Sequence, residues 1–382
     1  MNVLLINDTR AELNPGCQAT VSELITFVKA NGNDVNLNIM AHGESYEIYK
    51  TPDLYYTSVK VQLKNLITRI GNKLNFFNKA KDRSKSLNFK TWKHIALNEI
   101  SEVIKAKIAN ADLVLVNMEG TIHNNGRGGL ALLGLAYYAK SQGKKVAMVN
   151  GSYQNMSKKI TLEVLSKIEF LSVREVKSYN YLKRSLSQVH LIPDFAFKAN
   201  INEVFKNIDG IIKDDENKKC LYTVGVLGAF PNQKNGINLD QITQHVNEIK
   251  QLGYKPYYLK IENAENAIET YLKDLAVNTI SYNSDLKYAN IGTLISKFDL
   301  LVTGRYHIGI FGLMSKVKTL FLPSNTYKIE GLLKMINREQ LLIENDNIIS
   351  SFNASDKKEQ IEIDDLISME SYNNFGEFLR KL

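Results

Sequence analysis

The chain has 382 residues, of which 44% are hydrophobic, and a formal net charge of +8. This length and composition predict two globular domains, and the chain has no run of 18 apolar residues that would predict a membrane-spanning helix. Two cysteines are too few for a disulfide framework or a cysteine-based metal site. The amino terminus lacks the charged start and the cleavage site of a signal peptide, so we expect a cytoplasmic protein.

The chain alternates predicted strands and helices. Short apolar runs predict strands at residues 2–6, 112–116, 146–149, 170–173 and 189–192, and after a polar segment at 221–227, 257–261, 279–282, 300–302 and 319–322. Alternating apolar and polar residues predict a further strand at 34–41. Helical periodicity covers residues 21–30, 95–108, 130–139, 306–315, 325–335 and 371–382, among others. We therefore expect an α/β protein with parallel sheets, divided into a Rossmann-like domain at 1–200 and a second one at 201–382.

Residues 55–93 interrupt the first domain as a basic insertion. Ten Lys or Arg residues and a single acid, Asp82, lie between residues 60 and 93, and apolar residues recur at helical spacing over 59–77. An amphipathic basic helix of this kind packs on its own domain or on a second subunit, or it lies on an anionic membrane surface such as the inner membrane. The basic residues match no nucleic-acid-binding module, so no nucleic-acid partner is expected.

Polar side chains cluster where the strands of the first half end. The carboxyl ends of parallel strands share one edge of a sheet, and ligands bind beyond that edge. Six of these polar residues and one loop glycine predict a site for a sugar or an anionic ligand: Asn7, Asn14, Gly16, Gln18, His123, Asn150 and Tyr153. The loop after the first strand is neither a dinucleotide-binding fingerprint nor a P-loop, so it predicts no nucleotide by itself.

Glu119 lies just past the third predicted strand, in a loop rich in glycine. Glycine lets the backbone come close to a ligand, and a carboxylate near His123 in such a loop is a credible general base. The alternative interpretation is a carboxylate that caps the amides of its own loop.

Arg305 and His307 lie where the strand at 300–302 ends and the next helix begins. A fixed cation and an imidazole at a helix amino terminus predict an anion clamp with a proton donor. The alternative is an arginine paired with a nearby carboxylate and a histidine that caps the helix. The following strand end repeats the polar pattern with four further candidates: Ser324, Asn325, Lys328 and Glu330.

Five segments together resemble the polysaccharide pyruvyl transferase family. They are NPGCQAT near the start, SVREVKSYNYL from Ser172, PDFAF from Pro193, and TGRYHIGIFGL and SNTYKIEGLL in the second half. The resemblance covers most of the chain. It implies two Rossmann-like domains whose parallel sheets face a central cleft, an architecture of the GT-B type.

Members of that family transfer a pyruvyl group from phosphoenolpyruvate to a sugar of a cell-surface glycan, forming a ketal. The resemblance assigns the donor phosphate, the donor carboxylate and acid catalysis to Arg174, Arg305 and His307. With the strand end after 319–322, the expected donor site comprises Arg174, Arg305, His307, Ser324, Asn325, Lys328 and Glu330. The N-terminal candidates then become the acceptor site. The expected catalytic residues are Glu119, Arg305 and His307.

The chain departs from the family after the third strand, where many members have a run of glycines and this chain reads NMEGTIH. A carboxylate there suits a base that deprotonates a sugar hydroxyl. Three functions therefore stay open. They are pyruvyl transfer to a glycan or glycolipid of polysaccharide or lipopolysaccharide biosynthesis, glycosyl transfer from a nucleotide-activated sugar with Glu119 as base, and non-catalytic glycan binding. No residue pattern predicts a metal site, and no cofactor is expected.

Overall fold

The computed structural model describes residues 1–45, 89–205, 212, 217–225, 238–283, 285–344, 347–355 and 369–382. The chain divides into two compact units. Unit 1 comprises Met1–Thr9, Phe27–Ile192 and Tyr372–Leu382, and unit 2 comprises Arg10–Thr26 and Pro193–Ser371. Most of the predicted basic insertion at 55–93 lies outside the described residues, and so does the end of the strand predicted at 221–227.

Unit 1 is built on parallel strands. They are β1 (Asn2–Asp8), β2 (Asn36–Ala41), β3 (Leu113–Asn117), β4 (Ile122–His123), β5 (Lys145–Gly151), β6 (Tyr153–Gln154), β7 (Phe170–Val173) and β8 (Val189–Leu191). Six of them form one sheet in the order β2-β1-β3-β5-β7-β8, and β4 pairs with β6. Every residue of β3 is buried, as expected of a central parallel strand that is covered on both faces.

The helices of unit 1 cover this sheet. They are α2 (His42–Ser45), α3 (Phe89–Asn98), α4 (Glu102–Ala109), α5 (Arg127–Ser141), α6 (Lys158–Leu165), α7 (Val176–Lys183) and the C-terminal α14 (Met369–Arg380). Helix α1 (Pro15–Asn31) is divided between the units at Thr26 and Phe27. Trp92 is fully buried between α3 and the core of this unit.

Unit 2 contains a parallel five-stranded sheet. Its strands are β9 (Lys219–Thr223), β10 (Lys255–Lys260), β11 (Asn278–Ser281), β12 (Leu300–Thr303) and β13 (Lys318–Phe321), in the order β11-β10-β9-β12-β13. Its α-helices are α8 (Leu239–Gln251), α9 (Asn266–Asp274), α10 (Ile291–Ile295), α11 (Tyr306–Met314), α12 (Lys328–Met335) and α13 (Ile348–Ser355). Short 3-10 helices lie at Phe195–Lys198, Asn263–Glu265, Tyr288–Asn290 and Glu339–Leu341.

Several helices differ from their predicted bounds. Helix α1 begins at Pro15 rather than residue 21, because Asn14 Oδ1 accepts hydrogen bonds from the amides of Gly16 and Cys17. The helix predicted at 95–108 is two helices, and Ser101 caps the second through the amide of Ile104. Helix α12 begins at Lys328, three residues after the predicted start.

The division into units differs from the predicted boundary at residue 200. It falls between Ile192 and Pro193, and the C-terminal helix belongs from Tyr372 onward to unit 1 rather than to the second half. Phe375 explains that assignment, since its ring packs on Phe27 at 5.6 Å and on Phe170 at 5.0 Å between centroids.

Candidate functional site

Each main sheet has one place where its connections diverge. In unit 1 the chain passes from β1 to β2 on one side and returns to β3 on the other, and in unit 2 the same reversal separates β9 from β12. Ligands of open α/β sheets bind beyond the carboxyl ends of the two strands at such a reversal. Glu119 follows β3, whereas Arg305 and His307 follow β12. Each predicted group therefore lies where the topology of its own unit favours a ligand.

Glu119 is a buried carboxylate with two side-chain donors. Its Oε1 accepts hydrogen bonds from Thr9 Oγ1 at 2.5 Å and from Asn117 Nδ2 at 2.9 Å. The backbone φ of Glu119 is +43°, a left-handed conformation that costs a non-glycine residue on the order of 1–3 kcal/mol. Such strain persists mainly at ligand sites, because the surrounding contacts hold it. This geometry fits the predicted general base, and the role itself stays a prediction.

Buried amides continue this network along the strand ends. Asn7 Nδ2 donates to the backbone carbonyl of Asn117 at 2.7 Å, and Asn150 Nδ2 lies 3.5 Å from Asn117 Oδ1. Asn7 and Asn150 are also left-handed, with φ of +71° and +60°. On the far side, His42 Nδ1 lies 2.8 Å from Asn7 Oδ1. The structure thus brings the predicted Asn7, Glu119 and Asn150 together.

Sequence reasoning missed Thr9, Asn117 and His42 in this network. Thr9 and Asn117 had a readable signal, since each is a polar residue directly at the end of an apolar strand. His42 follows β2 in a segment without periodicity, and only the fold brings it to Asn7.

The predicted His123 and Tyr153 lie on the small β4-β6 sheet of unit 1. Tyr153 is fully buried, and its hydroxyl lies 2.7 Å from Thr161 Oγ1. His123 is partly buried, with its Nδ1 3.3 Å from Asn124 Nδ2. Tyr153 is therefore buried in unit 1, and its contact with an acceptor stays a prediction.

Arg174 is a buried cation at the end of β7. It is 1% exposed, and its Nε donates to Ser152 Oγ at 3.1 Å. The next residue, Glu175, caps α7 by accepting from the amides of Lys177 and Ser178. Burial raises the pKa of Glu175, although the hydrogen bonds from Ser178 and Lys177 and the charge of Arg174 act in the opposite direction.

The first turn of α1, which carries the predicted Gly16 and Gln18, lies in unit 2, as does the preceding residue Asn14. Gln18 Oε1 accepts a hydrogen bond from Tyr282 Oη at 2.7 Å. Burial raises the pKa of Tyr282, so this hydroxyl stays a donor at physiological pH. A Cβ atom added at Gly16 would overlap the His307 ring. The glycine is therefore needed for the close approach of α1 to His307.

His307 is the second residue of α11, and its imidazole lies beside a buried carboxylate and a hydroxyl group. Its Nε2 lies 3.4 Å from Asp194 Oδ2 and 3.4 Å from Thr20 Oγ1. Asp194 is fully buried, and 14% of the His307 side chain is exposed. The side chain of Arg305, which precedes α11, makes no capping hydrogen bond to the first turn. An imidazole beside a helix amino terminus without a side-chain cap suits an anionic ligand that takes up a proton.

Arg305 has the carboxylate pairing that the sequence analysis gave as the alternative. Its guanidinium binds Glu262 at 2.9 Å and is also in an ion pair with Glu265, which is fully buried. Glu265 accepts a further hydrogen bond from Tyr258 Oη at 2.7 Å. Burial and the charge of Glu265 raise the pKa of Tyr258 far above its usual range, so the hydroxyl remains a donor. Two carboxylates thus neutralise the cation that was expected to bind the donor.

The predicted loop after β13 is polar and partly exposed. Asn325 Oδ1 accepts hydrogen bonds from Ser324 Oγ and from Lys328 Nζ, both at 3.2 Å. Glu330 lies in the first turn of α12. These side chains organise the loop itself, and their donor contacts stay a prediction.

The predicted sets divide between the units. Of the acceptor set, unit 1 contains Asn7, His123, Asn150 and Tyr153, and unit 2 contains Asn14, Gly16 and Gln18. Of the donor set, unit 1 contains Arg174, and unit 2 contains Arg305, His307, Ser324, Asn325, Lys328 and Glu330. Within the described ranges, no group of three His, Cys, Asp or Glu residues could hold a metal ion. None of the described helices is long and apolar enough to cross a membrane.

The combination of His307 on α11 with the strand-end pattern agrees with the family resemblance. The model of the family described as polysaccharide pyruvyl transferase matches residues 14–326. The chain belongs to the polysaccharide pyruvyl transferase family. Membership makes it a transferase. No curated protein matches the chain in sequence.

Solved structures with the same fold come from nucleotide-sugar enzymes. UDP-GlcNAc 2-epimerase from Methanocaldococcus jannaschii, in complex with UDP-GlcNAc and UDP, is 14% identical over 99% of both chains, with a TM-score of 0.60. MnaA from S. aureus with UDP is 13% identical over 98% of this chain and 90% of its own, with a TM-score of 0.54. The epimerase from Rickettsia bellii is 10% identical over 99% and 98%, with a TM-score of 0.52. At this identity the similarity shows the fold alone, and it confirms the predicted GT-B-like α/β class.

Proposed function

We propose that this member of the family transfers the pyruvyl group of phosphoenolpyruvate to sugar hydroxyls of a cell-surface polysaccharide or lipopolysaccharide precursor. The observation that carries the proposal is the His307 imidazole, positioned by Asp194 at the start of α11. A proton donor is the group that this reaction needs first, because the enol carbon of phosphoenolpyruvate becomes electrophilic at C2 only after C3 is protonated.

In the proposed reaction His307 first gives a proton and later takes one back. His307 gives a proton to C3 of phosphoenolpyruvate, which becomes a methyl group, and the first sugar hydroxyl adds to C2. Phosphate then leaves, and a second hydroxyl adds to C2 to close the ketal. Of the two hydroxyl protons, one returns to His307 and the other leaves with hydrogen phosphate. The first turn of α11 offers backbone N–H groups to an anionic donor.

A donor comparison tests this function. The purified chain is heated with phosphoenolpyruvate, UDP, CMP or GDP, and a donor that binds the folded state raises the melting temperature by mass action. We expect stabilisation by phosphoenolpyruvate, and with a suitable sugar acceptor we expect phosphate release and a new ketal methyl signal by NMR. Stabilisation by a nucleotide alone would overturn the proposal.

His307 is tested with a matched histidine. His307→Gln should lower phosphate release at least about a hundredfold, as expected when a proton donor is lost. His94→Gln, at an exposed position on α3, should leave it unchanged. Equal rates in the two variants would remove His307 from the chemistry.

Glu119 supports a second candidate, glycosyl transfer from a nucleotide-activated sugar. Its fixed, buried carboxylate at the β1-β3 reversal suits a base for an acceptor hydroxyl. In that reaction Glu119→Gln should lower turnover about a hundredfold to ten-thousandfold while donor binding survives, since Gln keeps the shape and removes the base. Retention of more than about a tenth of the turnover on a nucleotide sugar would exclude this mechanism.

A further inference from the structure

The protonation of the His307 ring can be deduced from its neighbours in unit 2. The Thr20 hydroxyl has one hydrogen, and it donates that hydrogen to Asp194 Oδ1 at 2.8 Å. Towards His307 Nε2, Thr20 Oγ1 can therefore only accept, and Asp194 Oδ2 is likewise an acceptor. With acceptors on both sides, Nε2 carries a hydrogen.

The two oxygens of Asp194 have separate tasks. Oδ1 accepts from the Ala196 amide and from Thr20 Oγ1, both at 2.8 Å, and so caps the 3-10 helix Phe195–Lys198. Oδ2 faces His307. Because a fully buried carboxylate is costly without compensating partners, the position of Oδ2 next to an imidazole that can become cationic is favourable.

The other ring nitrogen of His307 lies beside Gly16. A Cβ atom at Gly16 would overlap both Cγ and Nδ1 of the ring. Because Gly16 has no side chain, α1 leaves room for the His307 ring at this point.

We propose that Asp194 is a positioning residue that fixes His307 with Nε2 protonated, so that Nδ1 is the nitrogen that gives the proton to the donor and takes it back. Loss of the Nδ1 proton leaves the neutral ring in the Nε2–H tautomer, which Asp194 holds. A carboxylate that orients an imidazole in this way also stabilises the cationic form that must exist before proton transfer. The transfer of the Nδ1 proton to phosphoenolpyruvate rests on the proposed function, whereas the Nε2–H tautomer does not.

Asp194→Asn changes the group that faces His307 and keeps the oxygen that accepts from Ala196 and Thr20. The Asn carbonyl oxygen can keep the Ala196 amide and the Thr20 hydroxyl, and its NH₂ group takes the place of Oδ2. An NH₂ group donates, so Nε2 must become the acceptor and the hydrogen must move to Nδ1. The fold should persist, which a melting curve checks, while the tautomer reverses.

The readout is the ¹⁵N spectrum of protein labelled at its six histidines. The His307 signals are identified by their loss in His307→Gln, at alkaline pH where imidazole is neutral. We expect a protonated Nε2 in the wild type, a protonated Nδ1 in Asp194→Asn, and the wild-type pattern in Thr20→Val, which keeps the carboxylate. An unprotonated Nε2 in the wild type, or no change in Asp194→Asn, would overturn the proposal.

The second measurement is turnover of phosphoenolpyruvate. Asp194→Asn should lower kcat about a hundredfold or more with a much smaller change in KM, because the ring is still present but the amide NH₂ opposes the hydrogen on Nε2 that the cationic, proton-donating ring must carry. A reversed tautomer with unchanged kcat would refute the positioning role. A wild-type protein that never consumes phosphoenolpyruvate would instead remove the proposed function, and the ¹⁵N spectra would still decide the tautomer.

Discussion

At the scale of single residues, Arg305 shows how a cation that looks available in the sequence is used inside one unit. Its guanidinium joins the start of α11 to Glu262 and Glu265, and only 6% of its side chain is exposed. The ion pairs therefore fix Arg305, two residues before His307, to the segment that follows β10. That role explains a cation at this position without any contact to a donor.

Arg305→Ala should lower the free energy of unfolding by about 3–5 kcal/mol, because it leaves the buried Glu265 carboxylate without its partner. Denaturant unfolding measures this loss. Glu262→Gln is the control, since its carboxylate is 35% exposed and should contribute less than about 1 kcal/mol. If Arg305→Ala unfolds like the wild type and loses only turnover, the anion clamp predicted from the sequence is the better account.

The free energy of unfolding should depend on pH through Glu175. Its folded pKa is raised above the ordinary value of 4.5 by burial, so the folded state binds more protons than the unfolded chain over the interval above 4.5. The stability that this group contributes is present below 4.5 and is lost as pH rises through the raised folded value. Glu175→Gln should lack this part of the loss of stability with rising pH. Free energies of unfolding measured over the pH interval above 4.5 check this. Parallel pH profiles for the two proteins would contradict it.

At the scale of elements, α11 packs closely on the sheet of unit 2, because glycines lie where the helix meets the strands. A Cβ atom at Gly309 would meet the buried Phe321 ring of β13, and one at Gly312 would meet Leu301 and Thr319. Two glycines on one face thus let the helix approach the sheet closely, and the first turn of the same helix carries His307. The position of the imidazole depends on that approach.

Gly309→Ala should cost about 1–3 kcal/mol of stability, because an added methyl group in a packed core forces side chains out of their rotamers. It should also lower turnover, since α11 must shift. Gly43→Ala is the control, because nothing lies within 4 Å of its added Cβ atom in α2. Thermal unfolding and phosphate release check both variants. Equal melting temperatures would show that the Phe321 ring moves aside at little cost in stability.

Most of the strands were predictable because buried parallel strands are continuous apolar runs, and each predicted strand has a counterpart in the described sheets. The start of α1 was not, because Asn14, Pro15 and Gly16 are turn residues by composition and form a helix cap only in this context. The positions of the candidate site residues at strand ends were predictable. Their hydrogen-bond partners were not, since the Thr20–Asp194 hydrogen bond joins residues 174 apart in sequence, which no local pattern reveals.

At the scale of the whole chain, the order of segments does not follow the order of units. Residues from the start, the middle and the end form unit 1, and the last helix closes it. Phe375 of α14 is fully buried and packs on Phe27 and Phe170, whereas Phe378 is partly exposed and packs on Phe170 at 5.1 Å. The end of the chain is therefore part of the core of unit 1.

Phe375→Ala should destabilise unit 1 by about 3–5 kcal/mol, the usual cost of truncating a buried Phe to Ala, because the cavity lies between three elements and cannot collapse fully. The single Trp of the chain, Trp92, is buried in the same unit and reports its unfolding by fluorescence. We expect its denaturant midpoint to fall sharply in Phe375→Ala, less in Phe378→Ala and little in Phe375→Leu, which keeps most of the volume. An unchanged Trp92 midpoint in Phe375→Ala would mean that α14 adds nothing to unit 1, and its removal should then leave a stable protein.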